Sequence, residues 1–441
     1  MPNSIEIKYA LEPHFIKCVC LHSILQVNTL NTHIGLSLCN LSRIQVIPHG
    51  RYIYLMLGGF LLAVVTMGPY CLVVLIPAVS SVLLIHFVSS QRLHTWAFLT
   101  QMGWQTSWHL LLQYREYQLQ EGDPRLLAAV SSLMLLTQRV TSLSLDIQEG
   151  KLKTGDTRTG NYISFSSLLP YLSYMLYFPA LLGGPLCSFR TFTSCVKLCN
   201  VNPPPNPQWT VSRKCVLVLG LEGVKTLLTI CINIHTEDPM QSRDLEGVLL
   251  IWSVSLLYKM TYYSYWVLSE LLNNAAGFGF GGYDSKGFPI WNALSDADIW
   301  TLETTHKISQ FARTWNKTTA DWLRRLVFEK CKAYPLLATF AFSAWWHGLH
   351  PGQIFGFLCW AATVEADYRV HYYLRPYVGS GVTRLLYKSL TWVQTQLVIA
   401  CCIMTVELRS LSSVRMICQS YISLFPLLYC LMLVFVPRKH Q

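Results

Sequence analysis

FAFSAWWHGLHPG, residues 340–352, places His347 inside an apolar, aromatic-rich run. An imidazole in such a run must find a polar partner or stay neutral, because burying an unpaired polar group costs free energy. In a membrane segment an ionisable side chain is a functional-site candidate by default. The turn that follows, Gly348-Leu349-His350-Pro351-Gly352, separates two short apolar arms, Pro335–His347 and Gln353–Val364. Each arm is shorter than the roughly 20 residues of a straight membrane span. A Gly/Pro-interrupted turn at membrane depth is tolerated where it is buried in protein or lines a water-filled cavity.

The composition agrees with a membrane setting. Of 441 residues 52% are hydrophobic and only 13% charged, with a mean hydropathy of +0.34. Soluble domains carry about 25% charged residues. The fold class expected is an all-α polytopic membrane protein. The net charge of +11 is spread over many short loops, which fits the positive-inside rule better than nucleic acid. Many of the 15 cysteines, including Cys71, Cys231, Cys359, Cys401, Cys402 and Cys430, lie inside apolar runs. They read as small buried hydrophobes instead of a disulfide framework. Paired CxxC motifs at zinc spacing are lacking, so no structural zinc site is expected.

Upstream of the histidine the chain divides into further candidate spans. Tyr52–Val88, broken at Gly68-Pro69 and Pro77, is long enough for two. Trp96–Leu112 carries Gln101, Gln105 and His109 at i, i+4 and i+8, one polar stripe facing other helices. Leu126–Leu145, a bent Ser164–Gly183, Val216–Ile234 and Val248–Leu268 follow, the last holding Lys259, which should face the bundle interior. Asn202–Pro207 reads as a loop. GFGFGG (277–282) reads as flexible; it lacks the strand-to-helix setting of a dinucleotide fingerprint. Residues 1–50 show no clear span and no signal peptide and form a poorly defined N-terminal segment. Residues 51–436 are expected to be one transmembrane catalytic domain, and 437–441 a basic cytoplasmic tail.

Trp300–Lys332 differs. Ile308, Phe311, Ala312, Trp315, Trp322, Leu323 and Leu326 recur at helical spacing as one apolar stripe. The basic residues fall largely elsewhere, so the segment reads as an amphipathic helix, or a broken pair, at the membrane interface. Asn316 sits at the edge of the stripe. Leu390–Leu408 and Tyr421–Val436 complete a bundle of about ten or eleven spans. Residues 306–332 carry seven Lys/Arg, and 369–388 carry Arg369, Arg375, Arg384 and Lys388. Both are expected on the cytoplasmic side, with the His347 turn on the opposite, lumenal side and the C-terminus cytoplasmic. Arg409 and Arg415 then fall on the far side, against the rule.

A neutral His347 can act as general base on a hydroxyl attacking a carbonyl. The plain alternative is a core histidine bonded between helices. Asn316 can position substrate or donate its amide to an oxyanion, or it is a solvated surface residue. Asn316-Lys317-Thr318 is also a glycosylation sequon, disfavoured by the side assigned to it; Asn40-Leu41-Ser42 is the other. Trp315, Arg313, Trp345, Trp346 and His350 flank the two and are candidate substrate-binding residues. His350 three residues after His347 suggests a metal pair, but no acidic residue stands at ligand spacing, so turn packing is the simpler reading and no metal is expected. The absence of Gly-x-Ser-x-Gly leaves a serine nucleophile without support.

The residues now resemble a known family. A Trp-Asn amphipathic segment followed some 30 residues later by Ser-Ala-Trp-Trp-His-Gly and a Pro-Gly turn resembles the membrane-bound O-acyltransferase superfamily. SSLMLLTQRVTSLSLDI (131–147), FPALLGG (178–184), DADIWTLE (296–303), WLRRLVF (322–328), VEADY (364–368), TQL (395–397) and LRSLSS (408–413) extend the resemblance over roughly residues 51–436. The resemblance implies broken and interfacial helices around a central channel, with Asn316 and His347 as the paired active-site residues. It implies an acyl-CoA co-substrate and no bound cofactor. Within the superfamily the longer runs resemble the branch that transfers octanoyl from octanoyl-CoA to a serine of proghrelin in the endoplasmic reticulum. The family also leads one to expect a hydrophobic span near the start, which residues 1–50 do not supply. Two other readings compete: a lysophospholipid acyltransferase using the same His and Asn, and a transporter using the broken arms as a pore. Against the transporter stand the lack of repeat symmetry and the scarcity of buried acids.

Overall fold

The computed structural model describes residues 48–119, 122–152, 165–198, 204–235 and 245–435. Nearly all of residues 1–50, with Asn40, lies outside them, as does the 437–441 tail. The described chain is helical apart from one two-residue hairpin. It forms two compact units, divided inside the helices Gln208–His235 and Leu245–Ala275.

The first unit takes residues up to 217 and 265–295. It contains α1 (Pro48–Met67), α2 (Leu72–Phe87), α3 (Ser90–Tyr114), α4 (Pro124–Gln148), α5 (Phe165–Met175), α6 (Phe189–Leu198) and the start of α7 (Gln208–His235). α1 and α2 are parted by a 3₁₀ turn at Gly68–Cys71, where Pro69 has no amide hydrogen to continue the ladder. α4 starts at Asp123, whose carboxylate accepts the Arg125 and Leu126 amides, with Pro124 in the first helical position. The polar stripe on α3 is buried as its spacing predicts: Gln101 donates to the Ser81 hydroxyl at 2.7 Å, and Gln105 meets His109 at 3.2 Å. On α4 the Arg139 guanidinium is buried and donates to the carbonyls of Met175 and Ala180. Those carbonyls are freed where the chain breaks after α5, as the prolines of 164–183 predict. GFGFGG begins in a turn. It leads into the antiparallel pair β1 (Gly282–Tyr283) and β2 (Pro289–Ile290), closed by Asp284 accepting the Lys286 and Phe288 amides at 2.8 Å.

The second unit takes 218–264 and 296 onward. It holds the rest of α7, most of α8 (Leu245–Ala275), then α9 (Ile299–Thr304), α10 (Ile308–Thr314), α11 (Lys317–Leu323), α12 (Pro335–His347), α13 (Pro351–Leu374), α14 (Val382–Leu408), α15 (Leu411–Gln419) and α16 (Leu424–Phe435). The amphipathic segment is thus three short helices and a π-turn (Arg324–Phe328), not one helix or a pair. Its stripe is oriented as read: Ile308, Phe311, Trp322 and Leu326 are buried, while Arg313, Lys317 and Asp321 are exposed. The first arm has the expected bounds. The second is longer: α13 runs 24 residues. Hydropathy falls after Val364, but the polar groups there are paired. Glu365 bonds Arg369 at 3.0 Å, and the buried Asp367 accepts the Ser309 amide at 3.0 Å.

Four helical stretches among the described residues are long and apolar enough to cross a bilayer: Pro48–Phe87, Pro124–Gln148, Gln208–Ile232 and Val382–Leu408. A fifth is a pair, Leu411–Gln419 and Tyr421–Phe435, bent by 81°. This count falls short of ten or eleven for a physical reason. α3, α8 and α13 have spanning length, but their buried Gln, His, Lys, Glu and Asp side chains lower their hydropathy. α7 shows the opposite, with Trp209, Val216, Leu219 and Leu227 exposed, the surface that hydrocarbon covers.

Candidate active site

His347 is the last residue of α12. Pro335 opens that helix and Gly348, at φ 131°, closes it, its amide returning to Ala344 and Trp345. A side chain would oppose this φ, so glycine is required there. Leu349 follows at φ 62°, a rare conformation for a branched residue. Two such residues in a row turn the chain sharply into α13, which starts at His350–Pro351. Strained backbone of this kind persists where the surroundings over-determine it.

The surroundings here are α14. The Gly352 amide donates to the Arg409 carbonyl at 2.8 Å. A Cβ on Gly352 would lie 2.3 Å from the Thr405 carbonyl oxygen, so only glycine permits this approach. Gly356, one turn on, faces Thr405 and Val406 in the same way, a small-xxx-small seam typical of membrane helix pairs. Arg409, which the charge rule left unexplained, therefore stands beside the His347 turn.

The imidazole of His347 is half-buried in an aromatic setting. It stacks on Phe357 (5.0 Å, 23°) and meets Trp346 edge-on (4.7 Å, 70°). From Phe357 the rings continue to Phe340 (6.5 Å), Trp360 (5.8 Å), Phe311 (6.1 Å) and Trp315 (5.4 Å, stacked). Trp315 is the neighbour of Asn316. A second path runs through α11: Trp322 lies 5.3 Å from Trp346 and 5.8 Å from Phe342. Elements bearing Asn316 are thus packed against the helix that ends in His347.

Asn316 adopts φ 49°, ψ 62°, between α10 and α11. Asn is among the few residues that visit this left-handed region readily. The conformation is fixed from upstream. Asp296, fully buried, accepts the Thr318 amide at 3.1 Å and the Thr318 hydroxyl at 2.6 Å, and its carbonyl takes the Lys317 amide at 2.8 Å. Asp296 caps the helix that Asn316 begins, from twenty residues earlier in the chain.

Trp315 is held in turn. Tyr262 and Tyr263 of α8 meet it edge-on at 5.5 and 6.0 Å. The Tyr263 hydroxyl donates to Glu303 at 2.6 Å, and the Tyr262 hydroxyl to Glu407 at 2.5 Å. Lys259, 2% exposed, turns inward as expected and binds Glu303 (2.8 Å) and Gln396 (3.0 Å). Asp296, Glu303, Tyr262 and Tyr263 were not singled out from sequence. Glu303 has Lys307 four residues on, so its pairing with Lys259 was not legible from spacing.

The expected substrate-binding residues separate. Trp346 is buried against Trp322, and Trp345 is half-buried on another face, edge-on to Phe342 at 5.9 Å. His350 is buried at the start of α13. Arg313 is exposed and donates to the Tyr368 hydroxyl at 2.7 Å. Tyr368 lies seventeen residues into α13, about 25 Å along the axis from the His347 turn at 1.5 Å per residue. Trp315 and Trp346 sit in the ring network described above, His350 lies at the turn itself, and the Arg313 side chain bonds α13 well beyond that turn.

The membrane-bound O-acyltransferase family matches residues 125–406. The membrane-bound ghrelin O-acyltransferase of Mus musculus is 50% identical over 395 residues, 88% of this chain and 90% of its own length. That of Rattus norvegicus is 48% identical over 398 residues, 89% of this chain and 91% of its own length. The membrane-bound glycerophospholipid O-acyltransferase 2 of Homo sapiens is 27% identical over 428 residues, 88% and 79% of the two chains. The matched region takes in both Asn316 and the helix that ends in His347, in a chain of several membrane-crossing helices. On these grounds the chain belongs to the membrane-bound O-acyltransferase family, multi-pass membrane enzymes that transfer an acyl group from acyl-CoA.

Proposed function

We propose that this chain is a protein-serine O-acyltransferase that moves octanoyl from octanoyl-CoA to a serine hydroxyl of a ghrelin-type prohormone. Residues 51–436 act as one catalytic domain in the endoplasmic reticulum membrane. The Asn316 side meets cytoplasmic acyl-CoA, the His347 turn meets the lumenal peptide, and the C-terminus is cytoplasmic. The observation that carries the reading is the half-buried imidazole at the end of α12, packed in aromatic rings that lead to the left-handed Asn316. The identity of 48–50% to relatives named ghrelin O-acyltransferases supports the substrate class.

In the proposed step His347 takes the proton of the serine hydroxyl as its oxygen attacks the thioester carbonyl. The O–C bond forms, the C–S bond breaks, and the proton passes from His347 to the departing CoA thiolate. Asn316 donates its amide to the oxygen that becomes negative, an interaction stronger in the transition state than in the ground state. The aromatic walls exclude water, which would otherwise compete as acyl acceptor.

The test offers the purified chain octanoyl-CoA together with a serine-bearing ghrelin peptide and a lysophospholipid. Octanoyl ester on the peptide supports the reading. Acylation confined to the lysolipid would replace it with the glycerophospholipid chemistry named for the human relative at 27% identity.

A further inference from the structure

Far from His347, the second unit holds an open surface pocket of about 580 Å³ lined by Lys307, Tyr368, His371, Tyr372, Arg375 and Pro376. This is within the size range of small-molecule sites. Its acid is already committed. Asp367 is fully buried, accepts the Ser309 amide, and pairs with His371 Nε2 at 3.2 Å. His371 is committed as well, since Nδ1 meets the Tyr387 hydroxyl and Nε2 also lies 3.2 Å from the His306 carbonyl.

The remaining cations are not committed. Among the described residues, the side chains of Lys307 and Arg375 have no acidic partner, and neither does Lys388 nearby. Lys307 and Arg375 line the same pocket, and Lys307 and Lys388 act on the neighbouring His306. Burial first, then the neighbouring His371, Lys307 and Lys388, hold the His306 imidazole below its ordinary range. Converging cations without counter-charge raise the energy of an empty site and lower that of one holding an anion. Arg375 offers the planar fork that fits phosphate oxygens, and Lys307 a compact charge. Tyr368 and Tyr372 are both exposed beside them, which gives an organic carrier of that phosphate a surface to lie on.

We infer that this pocket binds the phosphomonoester of a phosphate-bearing organic ligand between Lys307 and Arg375. Two sources have that chemistry: the adenosine 3′-phosphate of the acyl donor and the headgroup of a phosphorylated anionic lipid. The first source rests on acyl-CoA as co-substrate; the second does not.

The full chain, purified in detergent, is titrated with adenosine 3′,5′-bisphosphate in one arm. In the other it is bound to nanodiscs with and without phosphatidylinositol 4-phosphate. Arg375→Gln and Lys307→Gln/Arg375→Gln are compared with the native chain after size exclusion confirms folding; Arg375 is exposed at a helix end, so its single substitution leaves the core intact. Loss of one charge-assisted phosphate contact is worth about tenfold in affinity. A tenfold loss in the bisphosphate arm supports the site and assigns it to the donor. A tenfold loss confined to the nanodisc arm supports it and assigns it to the lipid. Equal binding by native and variant chains in both arms overturns the proposal, as does failure of the native chain to bind either probe. His347→Ala binds the probes like the native chain, so a failure of the proposed transfer chemistry is distinguishable from a failure of this site.

Discussion

Replacing Asp296 by Ala tests how the fold sets Asn316. The Asp296 carboxylate makes two hydrogen bonds to Thr318. Hydrogen bonds to a charged acceptor contribute about 1.5–3 kcal/mol each. A non-glycine residue in the left-handed region costs about 1–3 kcal/mol, with Asn at the low end. Two bonds therefore outweigh the strain. Asp296→Ala keeps the backbone carbonyl that takes the Lys317 amide, so the loop is loosened and not lost. The expected loss of stability is about 2–4 kcal/mol, less than the two bonds summed because water takes up the freed donors. With the carboxylate gone the left-handed conformer no longer dominates, and kcat for octanoyl transfer falls about 10- to 100-fold, or roughly 1.4–2.8 kcal/mol. KM for octanoyl-CoA changes by less than about threefold, because the orientation lost matters in the transition state. Asp296→Asn, which keeps an acceptor, falls between. The assay is steady-state transfer to peptide in detergent with thermal unfolding alongside. Full kcat in Asp296→Ala, with the variant folded, refutes the argument that Asp296 positions Asn316.

Other substitutions probe other contacts. Gly352→Ala places a Cβ 2.3 Å from backbone of α14, Gly356→Ala places one 2.6 Å from the Thr405 and Val406 side chains, and Gly103→Ala meets nothing. The expected order of thermal stability is Gly103→Ala above native, Gly356→Ala below it, and Gly352→Ala lowest by about 2–3 kcal/mol; a reversed order in detergent melts would discredit the α13–α14 seam. Lys259→Met strands Glu303 and Gln396 and costs about 3 kcal/mol, while Lys259→Met combined with Glu303→Gln recovers part of it; strictly additive losses would speak against coupling. His306 lies below the ordinary imidazole range, so the unfolded chain takes up its proton first. Its contribution to stability is full above about pH 6.5 and is lost as pH falls toward the lower folded value. His306→Gln therefore flattens the pH dependence of the melting temperature there, and an unchanged slope counts against it.

Local features were legible in the sequence and partners distant in sequence were not. α12 begins and ends where Pro335 and Gly348 say it must, because both signals act within one turn of backbone. The polar stripe of Gln101, Gln105 and His109 followed from spacing alone. The break at Asn316 did not, because its cause is Asp296, twenty residues away. Lys259 was readable as inward-facing, but Glu303 and Gln396 reach it from 44 and 137 residues away. The second arm was read short because hydropathy counts Glu365, Asp367 and Arg369 as solvated, whereas each has a partner in the fold. Pairing of this kind also depresses the number of helices that qualify as spans. The bond from Arg313 to Tyr368 joins residues 55 apart and has no signal in the sequence.

The most direct test of the account is octanoyl transfer from octanoyl-CoA to the peptide serine by His347→Ala, read by mass spectrometry beside the native chain. The account predicts that kcat falls by about 10²- to 10⁴-fold while the variant keeps its melting temperature and its affinity for octanoyl-CoA. Turnover within about threefold of native would remove His347 as the base and contradict the account.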